Sequence, residues 1–178
     1  TVRDLCGAAI YHSDNTAMNL LLQFNGGVKG MTKFAKSLGD DHFLQTNDWP
    51  KEAYSGGKDN RDDASTPEAM ALSLQTLLTG SVLGDEQKKL LKQWLIDAKH
   101  GFKRIRSGVP SESWIVGNKT GTGGKYGTTN DLAVIYPPNH EPLFICVYYT
   151  SDDKQVQKNE DILATVTKKV LSAMQKAD

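Results

Sequence analysis

An α+β fold, with an antiparallel sheet flanked by helices, is the class this sequence predicts, and three observations predict it. Apolar residues recur at helical spacing through the first half of the chain, apart from one long interruption. Between residues 114 and 150 they change to continuous or alternating runs. They then return to helical spacing near the C-terminus.

In chain order, "TVRDLCGAAIYH" opens directly on helical periodicity, with Val2, Leu5, Cys6, Ala9 and Ile10 on one stripe and only Thr1 to cap it. Such a start is expected where a chain begins in the middle of a larger protein. "DNTAMNLLLQFNGG" reads as a second helix closed by Gly26 and Gly27, and "VKGMTKFAKSLG" as a third ending at Gly39. Periodicity then disappears from 40 to 65, a loop too long to be an ordinary connection and therefore a candidate for function. In "STPEAMALSLQTLLTG", Thr66 can cap, Pro67 suits the first turn and Glu68 the positive helix end. Met70, Leu74, Leu77 and Leu78 form its apolar face. The next helix, "GDEQKKLLKQWLIDA", is expected to start at Asp85 as cap and to bury Leu90, Leu91, Trp94 and Leu95. "SWIVGNKTG", "DLAVIYPP" and "LFICVYYT" read as three strands whose short connections imply antiparallel pairing. In the closing helix, "NEDILATVTKKVLSAMQK", the expected packing stripe is Ile162, Leu163, Val166, Val170 and Met174.

Across 178 residues, 21 basic and 21 acidic side chains cancel. A balanced chain has no electrostatic footprint for nucleic acid or an anionic membrane, and no apolar run approaches membrane-spanning length. A small molecule or a protein is the expected partner. Cys6 and Cys146 lie in apolar contexts and read as free thiols packing as small hydrophobes. His12, His42, His100 and His140 have no ligand-spaced neighbours, so no metal site is expected.

Two short motifs could carry chemistry: Ser-Asp-Asn beginning at Ser13 and Lys-Thr-Gly beginning at Lys119. Alone, the first is equally well read as a helix cap through Asp14 or Asn15, and the second is weaker still. Together, in this order, they fit the motif set of serine β-lactamases and penicillin-binding proteins. "TVRDLCGAAIYHSDNTAMNLLL", "STPEAMALSLQTLLTG" and "WIVGNKTGTGGKYGTTNDLAVIYPP" resemble the corresponding segments of class A serine β-lactamases, and the resemblance runs over almost the whole chain. It implies a helical subdomain (1–100, with an omega-like loop at 40–65) beside sheet strands and a closing helix (101–178), with the active site in the cleft between.

The resemblance also implies roles. Ser13 matches the serine that protonates the β-lactam nitrogen as the ring opens, and Lys119 the cation beside it that attracts an anionic substrate. Asn15 matches the residue that binds the substrate's amide side chain. Thr120, Gly121 and Thr122 match the substrate-binding strand segment: the two threonines hold the carboxylate and the Thr122 N–H is one oxyanion donor. Arg104 resembles an arginine that some members place on that carboxylate, although a surface ion pair is an alternative. The implied protein is bacterial, periplasmic or secreted, without cofactor, and monomeric when complete.

Two departures from the family pattern stand out. The Ser-x-x-Lys nucleophile should precede Ser-Asp-Asn. The two matches present, Ser55 with Lys58 and Ser151 with Lys154, come after it, in loops where three-residue spacing does not align side chains. The nucleophile is therefore expected on a missing N-terminal segment, with this chain the C-terminal portion of the enzyme. In the omega-like loop, "DWPKEAYSGGK" places Pro50 on the family's proline and Trp49 where the water-activating glutamate stands; indole has only an N–H donor and cannot act as a base. Asp48 and Glu52 are the nearest carboxylates. Asn47 replaces the arginine of the ion pair that closes the loop, so that clamp is expected to be lost although Asp62 and Asp63 remain. Gly56 and Gly57 predict a mobile loop.

Overall fold

The computed structural model describes residues 1–47 and 61–174. The expectations for Asp48, Trp49, Pro50, Glu52, Ser55, Gly56, Gly57 and Lys58 lie outside the described residues.

Seven helices and three strands are present among the described residues: α1 (Val2–Tyr11), α2 (Asn15–Phe24), α3 (Gly27–Ser37), α4 (Pro67–Thr79), α5 (Asp85–Ile96), α6 (Ile105–Gly108), β1 (Ile115–Thr122), β2 (Thr129–Tyr136), β3 (Leu143–Tyr149) and α7 (Glu160–Met174). The strands form an antiparallel sheet in the order β1-β2-β3, with Lys119 opposite Leu132 and Thr120 opposite Asp131. The α+β expectation holds.

Helix starts follow local chemistry. Thr1 and Asp4 form a capping box on α1, the Asp14 carboxylate accepts from Ala17 N–H at the start of α2, and Thr66 caps α4 ahead of Pro67. The expectation for α5 needs correction. Its N-cap is Gly84, and Asp85 sits one residue inside, where with Glu86 it faces the positive helix end instead of accepting a capping hydrogen bond.

Strand β2 is the spine, and its alternation builds two cores. Ala133 and Ile135 face Ile105, Val116 and Leu171, while Val134 faces Leu74 and Leu95 from the other side. The sheet is thus covered by α6 and α7 on one face and by α4 and α5 on the other. The packing stripe of α7 differs from the expected one. Leu163, Thr167 and Leu171 are buried, whereas Val166, Val170 and Met174 are each more than a third exposed. Thr167 can be buried because its hydroxyl donates to Leu163 O at 2.8 Å. Cys6 and Cys146 are free and half-buried, and burial pushes the Cys146 thiol up to about 12.

The base of the 40–65 loop is closed by hydrogen bonds, with Asn47 standing on Asp63 in place of the ion pair whose loss is expected. Buried Asp40 accepts from His42 N–H, Phe43 N–H and the Ser65 hydroxyl, Leu44 and Ala64 form a bridge, and Asp63 accepts from Thr46 N–H, Asn47 N–H and the Asn47 side-chain amide. Burial opposes the Asp63 charge, but these hydrogen bonds outweigh it and hold its carboxyl below the usual range.

Candidate active site

All of Ser13, Asn15, Arg104, Lys119, Thr120, Gly121 and Thr122 line one cleft of about 570 Å³. Ser13 comes from the turn between α1 and α2, Asn15 from the first position of α2, and Lys119 to Thr122 from the end of β1. Asp14 between them is the α2 cap, so the motif does structural work as well. Ser13 has φ of +57°, a left-handed conformation that costs an L-residue roughly 1–2 kcal/mol. Strain of this kind persists only where the surroundings hold it.

Lys119 holds Ser13. Its Nζ donates to Ser13 Oγ at 2.7 Å and to Thr120 O at 2.7 Å. Since an ammonium can only donate, the Ser13 oxygen is the acceptor and its own O–H remains free to donate into the cleft. Burial lowers the Lys119 ammonium to about 8, with attraction from Asp131 opposing that shift and repulsion from Arg104 adding to it.

Behind β1 lies a buried polar layer. Asn118 donates to Asp131 Oδ1 at 2.9 Å and accepts from Arg106 at 2.8 Å, and Ile105 N–H donates to Asp131 Oδ2 at 3.2 Å. Burial raises the Asp131 carboxyl to about 6 against these hydrogen bonds and the two neighbouring guanidiniums.

Arg104 is neither a surface ion pair nor a guanidinium open to solvent. It is 3% exposed, and its Nε donates to Glu160 at 3.0 Å. One terminal nitrogen donates to Gly121 O and Asn130 O at 3.0 and 2.6 Å, and the other to Thr122 Oγ1 at 2.7 Å. By donating to the Thr122 oxygen, Arg104 occupies one of its lone pairs and leaves the hydroxyl proton free to donate elsewhere. Charge-assisted bonds of this kind give geometry as well as energy.

The cleft also includes His100 and Glu160, which sequence reasoning did not place in a site. His100 Nε2 lies 3.2 Å from His12 O. Metal-ligand spacing carries no signal for a ring that bonds to backbone, and among the described residues no group of three or more His, Cys, Asp or Glu could hold a metal ion. Ser151 and Lys154 lie in the loop after β3, where Ser151 N–H donates to Tyr126 O and Lys154 O accepts from Tyr126 N–H.

Fold and site together define an α+β protein in which a Ser-Asp-Asn turn faces a Lys-Thr-Gly strand. The model of the β-lactamase enzyme family matches residues 1–174, and the chain belongs to that family. Its relatives are class A enzymes. The Toho-1 β-lactamase of Escherichia coli is 44% identical over 168 residues, which is 94% of this chain and 57% of that protein. An imipenem-hydrolysing β-lactamase of Enterobacter cloacae is 40% identical over 93% of this chain and 56% of its own length. The crystal structure of a β-lactamase from Desulfarculus baarsii superposes with a TM-score of 0.93 at 40% identity, covering 98% of this chain and 64% of that one. The chain therefore spans somewhat more than half the length of the curated relatives it matches.

Proposed function

We propose that the protein carrying this chain opens β-lactam rings through a serine acyl-enzyme, with residues 1–100 and 101–178 as the two walls of the cleft. The observation that carries this reading is the 2.7 Å hydrogen bond from Lys119 to Ser13 across that cleft.

In this reading a serine from a part of the protein outside these 178 residues attacks the lactam carbonyl, and the carbon–nitrogen bond breaks. The Ser13 hydroxyl gives its proton to the departing nitrogen and regains one from the Lys119 ammonium that donates to it, and the proton lost by the attacking serine restores that ammonium. Thr120 and Thr122 hold the substrate carboxylate, and the Arg104 bond to Thr122 orients one of those donors. The Thr122 N–H supplies one oxyanion donor, a contribution worth roughly 100-fold or more in rate. Asn15 binds the amide side chain. No helix among the described residues is long and apolar enough to cross a membrane; a periplasmic or secreted location and a monomeric complete protein are part of the proposal, by family resemblance.

A second reading rests on Trp49 in the glutamate position: a penicillin-binding protein that acylates but releases its product slowly. Nitrocefin turnover by the complete protein, with mass spectrometry of the acyl adduct, distinguishes the two. Steady turnover is the expected result for the hydrolase. A persistent adduct with negligible turnover selects the binder, and the absence of both sinks the serine acyl-enzyme mechanism.

A further inference from the structure

The segment 99–101 ties the two walls of the cleft together, and we propose that His100 is a positioning residue that keeps Ser13 in its proton-relay geometry. This inference rests on the relay reading of Ser13 given above.

On one side the segment is seated on β1. Asn118 Nδ2 donates to His100 O at 3.3 Å, and Gly101, with φ of +83°, lies so close to the strand that an added Cβ would fall 2.7 Å from Thr120 Cγ2. On the other side it grips the end of α1. Lys99 N–H donates to Tyr11 O at 3.1 Å, the Lys99 ammonium lies 4.7 Å from the centre of the Tyr11 ring, and His100 Nε2 is 3.2 Å from His12 O. A carbonyl oxygen can only accept, so the imidazole nitrogen is the donor.

Tyr11 and His12 are the residues immediately before Ser13, whose backbone is held in the left-handed region. Ser13 is thus fixed from two directions: through its hydroxyl by Lys119 and through the preceding carbonyl by His100. The same segment anchors on Asn118 and Thr120, the neighbours of Lys119, so a shift of either wall is passed to the other. A proton relay tolerates little displacement, and misplacement by about 1 Å can cost on the order of 100-fold in rate.

Because His100 is exposed, substitution there does not empty a core. The test measures single-turnover acylation by nitrocefin, substrate affinity and thermal melting on the complete protein carrying His100→Leu or His100→Gln. Leucine removes the donor, whereas glutamine carries an N–H at a similar reach. His100→Leu is expected to slow acylation about tenfold with affinity and melting nearly unchanged, and His100→Gln to restore the rate to within about threefold. Normal acylation by His100→Leu, or equal slowing in both variants, overturns the proposal. Ser13→Ala separates this outcome from failure of the relay itself. If Ser13→Ala is slow while His100→Leu is normal, only the positioning role fails; if Ser13→Ala acylates normally, both fail.

Discussion

Lys119 shows how one side chain can be held by opposing forces. Burial favours its neutral form and brings the ammonium down to about 8 from the ordinary 10.5. A lysine with a depressed folded-state value binds fewer protons than the unfolded chain between those two limits. Its burial therefore costs stability in full below pH 8, and the cost fades as pH rises toward 10.5. Under the proposed function activity runs the other way, because the charged form is the one that donates to Ser13 and can attract a substrate carboxylate. For a carboxylate-bearing β-lactam, kcat/KM of the complete protein is expected to fall up to about tenfold per pH unit above pH 8. A profile that stays flat to pH 10 would show that the charge on Lys119 is not used. Arg104 teaches a related lesson, since its charge is spent inside the protein on Glu160, two carbonyls and Thr122. Under the proposed function its influence on substrate passes through the threonine hydroxyl that it bonds.

Among the elements, α6 and α7 show why close approach matters. Gly108 in α6 faces α7 so tightly that a Cβ would sit 2.6 Å from Ala164 O and 2.7 Å from Thr167 Cβ. Gly108→Ala must push α6 outward, with an expected loss of about 2 kcal/mol in chemical denaturation of the complete protein. An unchanged midpoint would mean that α7 yields freely. The stripe of α7 was only partly legible in sequence, because apolarity alone selected Val166 and Val170 while the helix buries Thr167. A hydroxyl that bonds its own helix is cheap to bury, and hydropathy does not register that bond. Closure of the base of the 40–65 loop is illegible in sequence for a similar reason. Asn47 looked like the loss of a cation, yet its amide and backbone both donate to Asp63.

At the scale of the whole molecule, the loop and the cleft are expected to divide the reaction between them. Under the proposed function the cleft residues serve acylation, and Trp49 in the expected glutamate position limits release of the acyl-enzyme. Trp49→Glu is expected to shorten the acyl-enzyme lifetime by about 100-fold, read as decay of the adduct by mass spectrometry. A lifetime equal to that of the parent would rule out Trp49 as the residue in the base position.

By itself the sequence determined the α+β class, the boundaries of most elements and the two motifs of the cleft, because periodicity, caps and turns are encoded within a few neighbouring residues. Tertiary structure alone decided how those motifs meet. Ser13 and Lys119 are 106 residues apart, and the packing of α1 on α5 and of α5 on β1 brings Oγ and Nζ to 2.7 Å. It also decided that Arg104 is buried beneath the strand and that His100 reaches the carbonyl before Ser13. Hydrogen bonds between distant segments depend on distances of a few tenths of an ångström, and no local pattern carries that information.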